Sequence, residues 1–345
     1  MKHALITGIT GQDGAHLARF LLQKDYKVFG GCRRLARSDL WRLEALGILD
    51  HANLTLLNFD GTDPASAARI VTTSSPDEVY NLAAQTHVGR SFEMPHATAM
   101  ITGLGVLNIL DAVRQIRPEA RFLQASSSEL FGNTTVVPQN EATSFRPRSP
   151  YGAAKLFGYS LTVNYAEAYG LFASNVILFN HESPLRSTEF VTRKVTSAVA
   201  DYVVNDRSPL RLGNLSARRD WGAAREYVDG MWRILQAPTP DVFVLATGRS
   251  ESIRTLVDLA YGTQGIVLEW QGAGREERGL CRTTGRVIVQ VDETFYRPSE
   301  VEFLLGDPSK AAMELDWTPK IALETIVAEM VEADISRAKS KLISP

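Results

Sequence analysis

The sequence predicts the α/β fold class: a doubly wound parallel sheet followed by a smaller C-terminal α/β lobe. Three observations lead to this prediction. A glycine-rich turn at Gly8 lies directly between an N-terminal apolar run and a helical pattern. Short apolar runs then alternate with helical patterns as far as Phe179, which is typical of parallel sheets with crossover helices. After Pro184 the alternation becomes irregular, which indicates a second lobe.

Length and composition indicate a globular protein. The chain has 345 residues, 44% of them hydrophobic and 22% charged, and a formal charge of −2. These values argue against a disordered chain, a nucleic-acid-binding tail or a membrane-surface helix. Apolar runs stay below the ~20 residues that span a bilayer, and the run before Gly8 is too short for a signal peptide. Because two cysteines, Cys32 and Cys281, are too few for disulfides or a metal cluster, we expect a cytoplasmic protein without a metal.

The first strand, predicted over 4–7, leads into the turn Gly8-Ile-Thr-Gly11-Gln-Asp-Gly14. This turn is a variant of the dinucleotide-binding fingerprint of Rossmann-type domains. Glycines are needed because the chain turns tightly and the pyrophosphate approaches backbone N–H groups at the helix N-terminus. The turn therefore predicts a nucleotide site, and the alternative is a purely structural turn.

Arg33 and Arg34 follow the second strand, predicted over 26–32. NAD-binding proteins usually place an acidic residue here, on the ribose 2′-hydroxyl. Two guanidinium groups pair instead with a 2′-phosphate, so they favour NADP. The alternative is a solvated basic loop that also contains Arg37 and Arg42.

Further strands are predicted over 54–59, 79–82, 121–125 and 174–179, with a long helix over 97–117. The 121–125 strand is followed directly by the serines and the glutamate of 126–129, which therefore lie at the carboxyl edge of the predicted sheet. Doubly wound sheets bind their ligands at this edge.

Tyr151 and Lys155 are four residues apart on a predicted helix that begins at Pro150, with Ser149 as its cap, and ends at Gly170. A tyrosine ionises near pH ~10. A nearby ammonium lowers that pKa, so that the tyrosine can take a proton from an alcohol. The alternative is an ordinary surface pair.

The sequence of the second half predicts helices over 189–204, 310–315 and 322–339, one helix that ends near 235 and another that starts at 252. It also predicts strands at 210–212, 242–246, 266–270 and 287–291. We expect a cofactor domain over 1–180, rejoined by segments near 221–247 and 286–305. The rest of 181–345 would form mainly the substrate-binding lobe.

Sequence blocks along nearly the whole chain resemble the GDP-mannose 4,6-dehydratase family, a nucleotide-sugar branch of the extended short-chain dehydrogenases/reductases. The tyrosine-lysine pair marks only the superfamily, whereas two later blocks are much narrower. The blocks are Thr7-Gly-Ile-Thr-Gly-Gln-Asp-Gly14, Asn81-Leu-Ala-Ala-Gln85, Tyr151-x-x-x-Lys155, Phe179-Asn-His-Glu-Ser-Pro184, Glu189-Phe-Val-Thr-Arg-Lys194, Leu212 to Trp221, Phe295-Tyr-Arg-Pro298 and Leu305-Gly-Asp-Pro308.

The resemblance implies the chemistry of a dehydratase. Tyr151 would take the proton of the sugar C4 hydroxyl while NADP accepts the hydride, with Ser127 bonded to the same oxygen and Lys155 holding the nicotinamide ribose. The resulting ketone acidifies C5–H, so Glu129 would act as base at C5 and assist loss of the C6 hydroxyl as water. Hydride return to C6 gives GDP-4-keto-6-deoxy-mannose. The alternative for Glu129 is a surface carboxylate.

The same resemblance implies two sets of binding residues. Those expected at NADP are Gly8, Thr10, Gly11, Gln12, Asp13, Gly14, Arg33, Arg34, Asp60, Gly61, Leu82, Ala83, Ala84, Tyr151, Lys155, His181 and Arg186. Those expected at the GDP-sugar are Gln85, Ser127, Asn180, Glu189, Lys194, Arg219, Arg297 and Glu300. His181 has the alternative of a hydrogen-bonded core histidine, and the charged residues have that of a solvated surface.

Three positions depart from the family pattern. Ser127 stands where threonine is common, Gly61 where a larger apolar residue often covers the adenine, and Ser187-Thr188 where a glycine usually follows the arginine. The last borders the sugar site, so GDP-mannose and a GDP-manno-heptose both remain open. An NADP-dependent nucleotide-sugar epimerase or reductase and a non-catalytic nucleotide sensor are the competing functions. The resemblance also implies a homodimer or homotetramer, the latter with the loop after Cys32 near a neighbouring subunit.

Overall fold

A computed structural model describes residues 1–207, 209–296 and 301–343. The strands are β1 His3–Thr7, β2 Lys27–Cys32, β3 Leu54–Asn58, β4 Glu78–Asn81, β5 Arg121–Ser127, β6 Ala173–Leu178, β7 Asn180–Glu182, β8 Leu210–Leu212, β9 Arg218–Arg219, β10 Trp221–Ala223, β11 Val242–Leu245, β12 Glu251–Ser252, β13 Leu268–Gln271, β14 Arg278–Cys281 and β15 Val287–Val291. The α-helices are α1 Gln12–Leu22, α2 Trp41–Ala45, α3 Pro64–Ser74, α4 Val88–Glu93, α5 Pro95–Thr98, α6 Gly105–Ile116, α7 Pro150–Tyr169, α8 Val191–Asn205, α9 Ala224–Gln236, α10 Ile253–Gly262, α11 Ser309–Leu315 and α12 Leu323–Ile343.

The large sheet has seven parallel strands in the order β11-β6-β5-β4-β1-β2-β3. This order confirms the predicted doubly wound parallel sheet. The direction of strand addition reverses between β1 and β4, and doubly wound sheets bind their ligands at such a switch point. Strand β11 returns from the second half of the chain to complete the sheet.

Apolar clusters cover both faces of this sheet. Leu5 and Ile6 are both fully buried, but Leu5 belongs to the cluster on the α3 and α6 face and Ile6 to the one on the α1 and α9 face. Because both faces are covered, the strands are continuously apolar rather than alternating.

The long helix predicted over 97–117 is interrupted. Between α5 and α6 lies a π-helical segment, Ala99–Leu104. A Cβ on Gly103 would lie 3.2 Å from Phe157 of α7, and one on Gly105 would lie 3.4 Å from the Gly61 carbonyl oxygen. The stretch Pro95–Ile116 is long and apolar enough to cross a membrane, but half of its most apolar window is buried. It packs against α3 and α7 as a core helix does.

The smaller lobe contains the mixed sheet β13-β14-β15-β8, packed with α8, α10 and α12. The segment 286–305, expected to rejoin the cofactor domain, divides between the lobes. Strand β15 lies in the small sheet, because it pairs with β14 and β8. Val301 and Leu304 instead pack with Phe179 and Val244 of the large domain.

Two short strand pairs lie outside the two larger sheets. Strand β7 pairs with β10, which places Asn180 beside Trp221, and β9 pairs with β12. The two narrowest sequence blocks therefore meet at the carboxyl edge of the large sheet.

Candidate active site

The predicted site residues form a row along the carboxyl edge of the large sheet. Arg33 follows β2, Gly8 follows β1, Leu82 follows β4, Ser127 ends β5 and Asn180 follows β6. Since parallel strands end at the same edge, the sheet order places these positions side by side.

The glycine turn leaves space that any other side chain would fill. Gly8 has φ +71°, and a Cβ on it would lie 3.0 Å from the Ala83 backbone. A Cβ on Gly14 would overlap the Gly8 carbonyl oxygen. The N-cap of α1, Gly11, offers no side-chain hydrogen bond, so the first N–H groups of α1 lack a cap. This cradle fits the pyrophosphate of a dinucleotide.

A buried polar chain that the sequence did not reveal fixes the strand ends. Thr7 Oγ1 donates to Asn81 Oδ1 at 2.6 Å, and Asn81 Nδ2 donates to Gln124 Oε1 at 2.7 Å. Thr7 Oγ1 also accepts the N–H groups of Leu82 and Ala83, at 3.1 and 3.2 Å. Strands β1, β4 and β5 are thus joined where the cofactor is expected to lie.

A cavity of about 850 Å³ lies between the lobes. The predicted site residues that line it are Asp13, Leu82, Ser127, Glu129, Tyr151, Lys155, Asn180, His181, Arg186, Glu189, Lys194 and Arg219. Within the described part of the chain, no group of three His, Cys, Asp or Glu side chains is arranged to hold a metal ion.

The other predicted residues do not line this cavity. Those that lie elsewhere along the edge are Gly8, Thr10, Gly11, Gln12, Gly14, Arg33, Arg34, Asp60, Gly61, Ala83, Ala84 and Gln85. Gln12 donates to the His181 carbonyl at 3.0 Å, and Gln85 donates to the His87 carbonyl at 3.1 Å, so each amide is bonded to a backbone carbonyl group. Arg297 and Glu300 lie outside the described residues.

Arg33 lies near Asp60 at the ends of the neighbouring strands β2 and β3. Hydrogen bonds from Thr62 lower the pKa of Asp60, and the positive charge of Arg33 lowers it further. Arg33 and Arg34 are both exposed, so their guanidinium groups are accessible to a ligand.

Tyr151, Ser127 and Glu129 form one connected group. Tyr151 is hydrogen-bonded to Ser127, and Ser127 Oγ also accepts the Glu129 N–H at 3.2 Å. Glu129 is 9% exposed, on a 3₁₀ turn directly after β5. The helix that carries Tyr151 begins as predicted, since Ser149 Oγ accepts the Gly152 N–H at 3.0 Å.

In the protein alone the pKa of Tyr151 is raised, whereas the sequence predicts that a nearby ammonium lowers it. The Lys155 ammonium donates to the Ala125 carbonyl at 2.6 Å and lies 5.9 Å from the centre of the Tyr151 ring. Burial raises the pKa of Tyr151 to about 12, against the opposing effect of the Ser127 hydrogen bond. Burial also lowers the pKa of Lys155 to about 8. Desolvation therefore outweighs any attraction between the two charged forms.

His181 is a buried, hydrogen-bonded histidine, as the alternative interpretation predicted, and it also borders the cavity. Its Nε2 lies 2.9 Å from Asp13 Oδ2, and its Nδ1 lies 2.7 Å from the Phe179 carbonyl oxygen. The ring stacks on Tyr227, with ring centres 4.6 Å apart. Although burial opposes its charge, Asp13 raises the pKa of His181 above the ordinary value.

Two cations of the cavity, Arg186 and Lys194, contact aromatic rings. Arg186 lies 3.6 Å above the centre of the Phe190 ring, and its Nε is 3.1 Å from the buried Glu182 carboxylate. Lys194 Nζ lies 3.3 Å from the centre of the Phe295 ring. Cation–π contacts of this kind hold the charged groups in place before a ligand binds.

Glu189, predicted to bind substrate, forms an ion pair with Arg90 of α4. This pair connects the two sides of the cavity, because Arg90 follows β4 and Glu189 precedes α8. Sequence reasoning missed Arg90, Glu182 and Phe190. Glu182 and Phe190 lie inside sequence blocks that resemble the family, so those blocks could have indicated them as site residues. No local pattern indicated Arg90.

Comparisons with known proteins show the family to which the chain belongs. A model of the family described as GDP-mannose 4,6 dehydratase matches residues 5–330. A GDP-mannose 4,6-dehydratase of Sinorhizobium fredii is 49% identical over 340 residues, covering 97% of each chain.

Solved structures share the fold. RMD from Pseudomonas aeruginosa, complexed with NADPH, superimposes with a TM-score of 0.76 at 22% identity, covering 97% of this chain and 99% of that one. A dTDP-glucose 4,6-dehydratase from Bacillus anthracis, in complex with NAD, gives 0.80 at 18% identity and 98% coverage of both. Because the family match extends over nearly the whole length, we conclude that the chain belongs to the GDP-mannose 4,6-dehydratase family.

Proposed function

We propose that this chain converts GDP-D-mannose to GDP-4-keto-6-deoxy-D-mannose and water, with tightly held NADP. The observation that carries the proposal is the position of Glu129 beside the hydrogen-bonded Ser127 and Tyr151 in one cavity. A C4 epimerase or a 4-keto-sugar reductase breaks no C5–H bond and needs no base there.

The cofactor is a nicotinamide nucleotide, and we propose NADP because Arg33 and Arg34 are accessible at the end of β2. The glycine turn would hold the pyrophosphate, Lys155 the nicotinamide ribose, and Arg186 a further part of the cofactor. A bound cofactor supplies the hydride acceptor for C4 and, later, the hydride donor for C6.

Tyr151 would act first, as the base at the C4 hydroxyl. Ser127 hydrogen-bonds the tyrosine hydroxyl and is placed to bond the same sugar oxygen. Because the pKa of Tyr151 is about 12 in the protein alone, deprotonation near neutral pH needs more positive charge nearby. Lys155 is one cation already placed in the same cavity.

Glu129 would act in the elimination. Oxidation at C4 acidifies C5–H, and Glu129 takes this proton and passes it to the C6 hydroxyl, which leaves as water. When C6 receives hydride, C5 would regain a proton, which balances the one that Tyr151 took from the C4 hydroxyl, so the net change is the loss of one water. The 9% exposure of Glu129 limits contact with bulk water during these transfers.

Lys194 and Arg219 would bind the diphosphate of the GDP-sugar, together with Arg297. Arg219 is 7% exposed, and burial lowers the pKa of Lys194. An anionic ligand would offset the cost of keeping these cations in the cavity. The remaining predicted contacts of the GDP-sugar are Asn180, Gln85, Glu189 and Glu300. Thr188 lines the cavity and would border the space that decides whether a hexose or a heptose fits.

We also propose a homodimer or homotetramer. Leu104 and Phe157 are 37% and 44% exposed on the π-helical segment and α7, and Gly103 packs against Phe157. This apolar face supports a contact between two copies. The exposed basic loop after Cys32 would supply a second contact in a tetramer.

The test is incubation of the full chain with GDP-mannose and no added reductant, followed by mass spectrometry. We expect the 4-keto-6-deoxy product, and deuterium placed at C4 of the sugar should appear at C6. A new stereoisomer without water loss would identify an epimerase instead, and the absence of turnover with every nucleotide sugar would favour a sensor. A panel that includes GDP-manno-heptose would define the sugar.

Glu129→Gln should lower product formation by at least ~100-fold, as expected for loss of a general base, with unchanged NADP binding. Glu93→Gln is the matched control, because Glu93 lines the same cavity on α4 without contacting the Ser127 group. Normal turnover by Glu129→Gln would remove Glu129 from the mechanism.

A further inference from the structure

We infer that Arg42, Arg193 and Arg337 form a clamp that holds together the two walls of the cofactor cleft, with Asp334 of the last helix as its anchor. The inference rests on the proposed function, since the clamped walls are the predicted NADP site. We call these four residues the arginine clamp.

The two walls are the glycine turn, 8–14, and the loop 183–186 after β7. Arg42 bridges them: its Nε donates to the Leu185 carbonyl at 2.7 Å and its Nη1 to the Thr10 carbonyl at 3.1 Å. Gln12 adds a second bridge, because it accepts from Ser183 Oγ at 2.9 Å. The alternative interpretation of the basic residues after β2 included Arg42 in a solvated loop, but its side chain is partly buried.

Two further arginines donate to the same loop. Arg193 Nη1 donates to the carbonyls of Pro184 and Arg186, at 3.1 and 2.6 Å. Arg337 Nη2 donates to the Pro184 carbonyl at 2.8 Å. The three consecutive carbonyls of 184–186 therefore all accept from arginines, which is a strong constraint on an irregular backbone.

Asp334 anchors the clamp. Its two oxygens lie 2.7 and 2.8 Å from Arg193 Nε, and it also accepts from Thr196 and Arg337, at 2.7 and 2.9 Å. Asp334 is 4% exposed and Arg193 is 6% exposed. Without this carboxylate, the guanidinium groups would repel one another with little compensation.

The clamp acts on the cofactor site through the loop it holds. Arg186 belongs to the loop, and His181 lies just before it; both side chains line the cavity. The clamp residues do not line the cavity, so they are positioning residues. Helix α12 thereby influences cofactor binding without contacting the cavity.

Arg193→Lys and Arg42→Lys test the clamp in the full chain, because lysine keeps the charge but loses the fork that reaches several acceptors. Equilibrium dialysis with NADP should show about tenfold weaker binding for each. The KM for GDP-mannose should stay within about twofold, because Lys194 and Arg219 lie outside the clamp. If Arg193→Lys fails to fold, Arg42→Lys carries the test.

Arg225→Lys is the matched control. Arg225 forms a bidentate pair with Glu329, at 2.6 and 2.8 Å, and so also connects α12 to the large domain. Binding is measured well below each unfolding midpoint, where a purely structural role leaves NADP affinity unchanged. Wild-type affinity in both clamp variants, or an equal loss in Arg225→Lys, would overturn the inference. A wild-type protein that binds no NADP would instead refute the proposed cofactor, and the clamp with it.

Discussion

Lys155 is expected to reduce the stability of the cofactor-free protein. The side chain is 4% exposed, and burial lowers its pKa from 10.5 to about 8. This difference, 10.5 − 8 or about 2.5 units, corresponds at ~1.36 kcal/mol per unit to at most roughly 3 to 4 kcal/mol at neutral pH. Lys155→Met would remove that cost but leave the Ala125 carbonyl, bonded at 2.6 Å, without its donor. Subtracting ~1 to 2 kcal/mol for that loss gives a net gain of about 2 kcal/mol.

The gain should be visible as a higher unfolding temperature together with lost activity. For a chain of 345 residues, an unfolding entropy of ~2.1 cal/mol/K per residue converts about 2 kcal/mol into a rise of roughly 3 °C. Activity should be abolished, because Lys155 is proposed to hold the cofactor and assist Tyr151.

The pH dependence distinguishes this cause from others. The folded pKa, about 8, lies below the unfolded value of 10.5, so between these values the unfolded chain binds more protons and the wild type gains stability as pH rises. Methionine does not titrate. The advantage of Lys155→Met should therefore be full below pH ~8, shrink as the pH rises and be gone before pH ~10.5, where only the lost hydrogen bond to Ala125 remains.

Thermal unfolding of both proteins, freed of cofactor, at several pH values between 7 and 10.5 measures this effect. Lys310→Met is the control, because Lys310 is only partly buried and pairs with Asp241 at 2.6 Å, so its replacement should not stabilise the protein. A Lys155→Met protein that is less stable than wild type at pH 7, or an advantage that does not change with pH, would refute the reasoning.

Three further predictions test other parts of the chain. Replacing Arg33 and Arg34 together with alanine should weaken NADP at least tenfold while NAD changes less than about threefold, measured by equilibrium dialysis; Arg37→Ala, on the same exposed loop, is the control, and equal losses of both cofactors would contradict the 2′-phosphate role. Asp220 accepts four hydrogen bonds from residues 247, 248 and 306 and lies next to Arg219 in the sequence. Asp220→Asn should therefore lower the free energy of unfolding by about 1 to 3 kcal/mol, measured by urea unfolding, and raise the KM for GDP-mannose. An unchanged KM would limit Asp220 to a structural role. The buried Glu78 carboxylate, at the amino edge of the sheet, accepts hydrogen bonds from Lys2, Tyr26, Tyr80 and Gln236. Glu78→Gln should lower the free energy of unfolding by about 2 to 4 kcal/mol without changing the KM for GDP-mannose. A changed KM would show that the two edges of the sheet are coupled.

The fold could be predicted because hydrophobic periodicity is local. Most strands lie within about two residues of their expected bounds. The break in the 97–117 helix could not be predicted from the sequence. Gly103 and Gly105 lie there in close contact with Phe157 and Gly61, where a side chain would be crowded. These partners are close in space but distant in sequence.

The candidate site could be predicted only where its residues follow the ends of the strands. The strand-end residues could be placed because parallel strands share an edge. Arg42 and Leu185 are 143 positions apart, and no local pattern relates them, so their contact was missed. The direction of the Lys155 ammonium also depends on the buried Ala125 carbonyl, which the four-residue spacing does not encode.

Ser127 would connect the two steps of the proposed reaction at one strand end. The C4 oxygen and the C5 hydrogen of the sugar belong to neighbouring carbons, so their two bases must be held at a fixed separation. Ser127 Oγ is bonded both to Tyr151 and to the Glu129 N–H, and it therefore connects the proposed base at C4 with the proposed base at C5. A threonine at this position would keep that hydroxyl, whereas an alanine would be expected to impair oxidation and elimination together.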